Sequence, residues 1–188
     1  RDVYKRQVLL DVNELAAGHD FFALGASSVS TSGRLLAYSF DTEGDERFTM
    51  RFKNLDTGEL LDDELEGLFY GATWAGEDYL FYVRCDDAWR PHQIWRHKLG
   101  TPAAEDVLVY EETDEKFGVG VGADRAERFL MIIASSSLTS EYRVLDLSDP
   151  TGEFEVLWER EAGIEYHPDF CDVDGKEQWV VTVSYTHL

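Results

Sequence analysis

The sequence predicts an all-β fold, a partial β-propeller of about three four-stranded antiparallel blades. Three observations carry this. Apolar stretches are short and alternate with polar residues, as in residues 48–55, and no segment keeps a sustained helical period. Turn-forming clusters such as Asp56, Thr57, Gly58 and Glu59 separate them. The pattern then recurs. Strands of similar apolar content begin at Leu35, Tyr79, Phe129 and near Trp179, spacings of 44 to about 50 residues that suit a blade repeat.

Taken in order, residues 12–17 are expected to form a single helical turn stopped by Gly18. The first unit has a small-residue strand at 25–30, an apolar strand at 35–40, an alternating strand at 48–55 and an acidic outer strand at 60–65. The second unit repeats this at 71–74, 79–83, 92–99 and 107–110, and the third at 118–122, 129–133, 141–147 and 154–158. A fourth begins at Phe170 and includes residues 179–182. The acidic joint from Glu111 to Lys116 is expected to carry the chain from an outer strand to the next inner one. The small residues of each first strand suit the crowded axis where blades converge. Because blade stability is largely a neighbour term, the middle unit, residues 71–110, is expected to hold its order longest and the terminal units to fray.

The 188 residues carry 38 acids against 17 bases, a formal net charge of −21. That balance disfavours nucleic acid and anionic membrane surfaces as partners and permits cationic ones. No apolar run reaches the roughly 20 residues that span a bilayer. Cys85 and Cys171 lie far apart in sequence with no paired-cysteine motif, which fits a reduced, cytoplasmic setting.

Both ends look foreign to the fold. Residues 2–7 can be encoded by a DNA string whose reverse complement, shifted in frame, encodes residues 183–188, a relation that resembles a transposon end used in preparing sequencing libraries. Residues 1–7 and 183–188 are therefore read as a sequencing-adapter artefact, and residues 8–182 as a piece of a longer propeller domain.

The polar residues offer little chemistry. His92 and His97 are five apart on one expected strand, so they point to opposite faces and cannot share a metal. His19 and His167 lack the neighbours that a zinc site needs. Asp172, Asp174 and Gly175 hint at a calcium loop, but Val183 stands where its closing Glu belongs, and a hairpin turn at Asp174-Gly175 is the simpler account. Asp62, Asp63, Glu64, Glu111 and Glu112 are expected to solvate outer strands and blunt their edges. Trp74, Trp95, Trp158 and Trp179 are expected in the core or between blades, and both cysteines are read as small hydrophobes. No catalytic residue, cofactor site or metal site is identified.

Several stretches carry a resemblance: Leu9-Leu10-Asp11, residues 51–59, Tyr82-Val83-Arg84, residues 94–97 and residues 100–112. Together they resemble the oligopeptidase B group of the prolyl oligopeptidase family of serine peptidases, across essentially all of residues 8–182. The resemblance implies a position within that family's N-terminal seven-bladed propeller. Such a propeller caps an α/β-hydrolase domain and admits only short, unfolded peptides; the group cleaves after Arg and Lys. Short basic peptides and the hydrolase domain of the same chain are thus the implied partners. The family's nucleophile sits on a Gly-x-Ser-x-Gly elbow. Here Gly25-Ala26-Ser27-Ser28-Val29 lacks the closing Gly and lies on an expected strand. No catalytic residue carries over, and the chain by itself is expected to hydrolyse nothing. The alternative is a stand-alone interaction propeller, although the Gly-His and Trp-Asp signature of WD40 blades is missing.

Overall fold

Successive antiparallel meanders make up the computed structural model, which describes residues 8–184. A short helix, α1 (Val12–Leu15), precedes them, capped by Asp11, whose carboxylate accepts from the N–H groups of Asn13 and Glu14. The first sheet has the order β1 (Ala23–Val29), β2 (Leu35–Asp41), β3 (Phe48–Asn54), β4 (Leu60–Leu68). The second is β5 (Ala72–Ala75), β6 (Tyr79–Cys85), β7 (Pro91–Lys98), β8 (Val107–Glu111), with a 3-10 turn at Ala103–Glu105 before β8. The third is β9 (Gly118–Ala123), β10 (Phe129–Ser135), β11 (Ser140–Asp146), β12 (Glu155–Trp158), and the fourth pairs β13 (Tyr166–Val173) with β14 (Lys176–Val183). Strands neighbouring in sequence pair within each sheet. The inner strand β5 packs beside both β1 and β9, as blades converging on an axis require.

The expected blade strands are present, shifted by a few residues at their ends, residues 8–11 are not in a strand, and the acidic joint starts at Glu111, the last residue of β8, and leads to β9. The turn at Asp174-Gly175 is a two-residue hairpin. Both residues have positive φ, 55° and 77°, and Val173 pairs directly with Lys176. Residues 1–7 and 185–188 lie outside the described residues. Val183 pairs with Tyr166 at the end of β14, and the Ser184 N–H donates to the Glu165 carbonyl at 3.0 Å.

Two cores lie between the sheets, and the strand period explains which residues enter each. On β6, Leu80 and Tyr82 face the first sheet and join Ala37, Phe48, Met50, Phe52, Leu65 and Leu68. Phe81 and Val83 point the other way and join Phe117, Val119, Leu130 and Ile132 of the third sheet's side. A strand sandwiched between two sheets therefore reads as a continuous apolar run. β10 alternates instead: Leu130, Ile132 and Ala134 are buried, while Met131 and Ile133 are half-buried.

Gly25 shows why the inner strands are small. A Cβ built there would lie 2.6 Å from both the Phe48 ring and the Ser39 hydroxyl, so only glycine fits without movement. Polar contacts tie the hairpins together across blades. The Trp74 indole donates to the Ser28 carbonyl at 2.9 Å, and Ser32 donates its N–H and hydroxyl to the two Glu77 oxygens, each at 2.8 Å. Thr31 reaches Glu127 of the third sheet at 3.0 Å.

Candidate functional site

Two groups of buried titratable side chains lie at the seams between sheets, while buried Asp41 and Asp124 each cap a turn within one sheet. At the first seam, β7 aims His97 back toward the first sheet, where its ring stacks on Phe52 with centroids 5.7 Å apart. Its Nδ1 is 2.7 Å from Asp106 Oδ1 and its Nε2 is 3.1 Å from Asp63 Oδ1. Asp106 follows the 3-10 turn and accepts from the Tyr82 hydroxyl at 2.7 Å through its second oxygen. Asp63, on β4, also accepts the N–H of Gly100. His97 is wholly buried. Burial favours the neutral ring, but the hydrogen bonds and charges of Asp106 and Asp63 outweigh it and hold the His97 pKa above its ordinary value. Burial, and then the bond to Asp106, push the Tyr82 phenol well above its usual range.

The second seam joins the second and third sheets around Arg160, which follows β12. Its guanidinium donates to Glu112 at 2.6 Å and to Glu141 at 3.0 Å, and lies 4.0 Å from the centroid of the Phe117 ring. Glu112 also accepts from the Tyr110 hydroxyl at 2.9 Å and from the Asp114 N–H at 2.9 Å. Burial opposes ionisation of Glu112, yet Arg160 and these donors hold its carboxyl below the usual range. Burial and Glu112 push the Tyr110 phenol up to about 12. Nearby, Arg90 binds the acidic joint through its carbonyls, donating from one nitrogen to the oxygens of Glu112, Asp114 and Phe117 while its Nε bonds Asp86.

Neither seam is built for covalent catalysis. A His between two carboxylates suggests an acid–base centre, but both ring nitrogens of His97 are occupied and no solvent reaches them. Among the described residues no histidine is hydrogen-bonded to a Ser, Thr or Cys side chain. Ser27 is exposed on β1, and the neighbouring Ser28 serves through its carbonyl, which accepts from Trp74.

The other polar residues fall into place individually. His92 is half-buried on β7, and its Nδ1 has no partner. His19 and His167 are exposed. Asp172 caps the 174–175 hairpin by accepting the Gly175 N–H at 2.7 Å. Trp74 is buried, Trp95 packs against the first core, Trp158 meets Tyr166 of the fourth sheet at 5.4 Å, and Trp179 meets Phe129 of the third at 5.2 Å. Cys85 and Cys171 are unpaired and half-buried, and burial pushes the Cys85 thiol up.

Two acids overturn the expectation that outer-strand carboxylates merely solvate edges. Asp63 and Glu112 are seam groups, turned inward because each meets a cationic or N–H partner from another part of the chain. Asp62 and Glu111 are exposed, as expected of edge acids, and Glu64 pairs with Arg51. Sequence reading also passed over Asp106, Glu141 and Arg160. One signal was available: Tyr82, inside an otherwise apolar buried strand, requires a partner for its hydroxyl.

The family described as "Prolyl oligopeptidase, N-terminal beta-propeller domain" matches residues 1–182. The chain belongs to that family. It is 42% identical over 185 residues to dipeptidyl aminopeptidase BI of Pseudoxanthomonas mexicana, covering 97% of this chain and 25% of that protein. It is 34% identical over 171 residues to protease 2 of Moraxella lacunata, covering 89% of this chain and 25% of that one. Among solved structures, oligopeptidase B from Leishmania major superposes with a TM-score of 0.82 at 26% identity, over 97% of this chain and 28% of its own. Oligopeptidase B from Trypanosoma brucei, with covalently bound antipain, gives 0.79 at 31% identity, over 95% and 27%. The chain thus spans about a quarter of the length of these prolyl oligopeptidase relatives. It is propeller from end to end of its described residues, with polar seams that hold blades together.

Proposed function

We propose that this chain is part of the gating propeller of a serine-type oligopeptidase, a non-catalytic piece that screens peptides by size for a hydrolase domain elsewhere in the full-length protein. The observation that supports this reading is the continuous match of residues 1–182 to the propeller domain of a peptidase family. In such an enzyme a Ser attacks the peptide carbonyl, a His takes its proton and passes it to the leaving amine, and backbone amides hold the oxyanion. The net charge of −21 adds a field that concentrates cationic peptides, so short basic peptides are the proposed substrates. The two unpaired cysteines support a cytoplasmic location within the same proposal.

The test uses the full-length protein. kcat/KM for a short Arg-containing peptide is expected to fall with rising ionic strength, while a folded protein bearing the same sequence is spared. Cleavage of both at equal rates removes the size filter, and a salt-independent rate removes the steering. A full-length protein that lacks a hydrolase domain and cleaves neither points to the stand-alone interaction propeller.

A second reading concerns where the peptide is cut. The 42% identity to a protein named dipeptidyl aminopeptidase favours release of dipeptides from a free amino terminus. The similarity to oligopeptidase B favours cleavage within the peptide, after basic residues. Paired substrates with free and acetylated amino termini separate them, because only the first mode needs the free amine.

A further inference from the structure

We propose that the seam between the first and second sheets is a proton-operated latch, closed while His97 carries a proton on both ring nitrogens and loosened when one is lost. This rests on seam geometry and is independent of the peptidase reading. The charged groups that face the ring are Asp63 from β4 and Asp106 from the segment after the 3-10 turn; β3 brings the uncharged ring of Phe52 and β6 the apolar Leu80, paired with His97. Tyr82 of β6 reaches the cluster through Asp106.

The two carboxylates impose opposite demands on the imidazole. Each must accept a proton from the ring nitrogen that faces it, since ionised carboxylates have no proton to give. A neutral ring has one N–H, so it satisfies one carboxylate and turns a lone pair on the other. At this seam the choice is uneven. Asp106 has the shorter contact and lies in the same sheet as His97, whereas Asp63 belongs to the first sheet. Loss of a proton is therefore expected from Nε2, where it leaves a lone pair against Asp63 across the seam. The side chain of Asp63 is only 8% exposed, so water does little to relieve the repulsion. Asp63 also holds the Gly100 N–H, so its withdrawal frees the 99–101 turn as well.

The direction with pH follows from linkage. The closed seam binds the His97 proton more tightly than the open seam, because both carboxylates support the charged ring. The latch is at full strength below the ordinary histidine value of about 6.5. Its stability declines as pH rises from there through the raised value of the closed state. Over that window the opening constant is expected to rise about tenfold per pH unit and then level off.

Hydrogen exchange read by mass spectrometry on the full-length protein, between pH 6 and pH 10 and corrected for the chemical rate, tests this. Segments 60–66 and 97–106 are expected to follow the tenfold-per-unit rise. Segments 112–119 and 140–146 at the Arg160 seam are expected to stay flat, because no histidine bridges there. A flat response at both seams, or an equal rise at both, overturns the latch. Asp63→Asn supplies the second arm: its amide keeps the shape and removes the charge, so the levelling-off is expected at lower pH. An unshifted plateau in that variant also overturns the proposal. The wild-type comparison of the two seams decides the matter even if the variant folds poorly.

Discussion

The Arg160 guanidinium sits 2.6 Å from Glu112, a residue 48 positions earlier in the chain, and this pair fastens the third sheet to the second. Arg160 is the bond between elements; Glu112 and Glu141 are the buried charges that depend on it. Arg160→Ala leaves both carboxylates inside with their main partner gone. Removing one member of a buried pair costs about 3–5 kcal/mol. Since Arg160 is partly exposed, the lower end, about 3 kcal/mol, is the expected loss in urea unfolding of the chain. Arg160→Lys should recover only part of it, because an ammonium cannot reach both carboxylates in a planar fork or stack on Phe117.

Glycines on the inner strands separate into two classes. Gly25→Ala forces a methyl to within 2.6 Å of Phe48 and Ser39. Overpacking of that kind costs about 1–3 kcal/mol. At Gly122 a Cβ meets nothing within 4 Å, so Gly122→Ala is expected to be neutral or to stabilise by about 0.5 kcal/mol through the unfolded chain. Thermal melts of the two variants side by side check the contrast. Equal losses would mean that inner-strand glycines serve backbone conformation rather than close approach.

What could be read in the sequence, and what could not, divides along the same line. Strand positions, the joint at residues 111–116 and the Asp174-Gly175 hairpin rest on local pattern, and local pattern is printed in the order of residues. The identity of the seam groups is not. Asp63 stands 34 residues from His97, and on β4 it alternates with exposed acids, so its burial depends on where the second sheet comes to rest. Glu112 follows exposed Glu111 and is set apart by the partners that reach it, Arg160 above all. Such pairings need the third dimension.

Carboxylates at the hairpins and seams set the acid limit. Burial opposes the charge on Glu77 and on Glu112, but the Ser32 donors in one case and Arg160 in the other outweigh it, leaving both below the ordinary value. A depressed folded-state value contributes stability above the unfolded pKa, about 4.3 for Glu, and loses it as pH falls through the depressed value. These two carboxylates therefore add nothing to the pH dependence near neutrality, and the urea midpoint is expected to drop below about pH 4 as they are protonated. Glu77→Gln should cost about 1.5 kcal/mol at pH 7, the lower end for hydrogen bonds to a charged group because Glu77 is only half-buried. Its gap from wild type should shrink at pH 3; a gap unchanged between the two pH values would show that Glu77 acts by shape rather than charge.

Order along the arc should follow how many faces of each sheet are covered. The second sheet is covered on both, with Leu80 and Tyr82 in one core and Phe81 and Val83 in the other. The first sheet fares better than the repeat pattern suggested, because the segment before β1 lies against its far side. Lys53 donates to the Leu9 carbonyl at 3.0 Å, Phe22 stacks on Phe40 at 5.7 Å, and Leu36 and Tyr38 are each only 2% exposed. Among the described residues nothing covers the fourth sheet in this way, and Val180 is 45% exposed on its β14 strand. Amide exchange on the 188-residue chain should thus be slowest in β6 and β7, intermediate in β2, β3 and β10, and fastest in β13 and β14. Phe81→Ala, which opens the second core, should release β9 and β10 before β2, since blade stability passes between neighbours. The cost of that truncation should be about 3–5 kcal/mol. Uniform protection from β1 to β14, with all segments released together in Phe81→Ala, would mean that the sheets unfold as one unit and that the seams do not divide them.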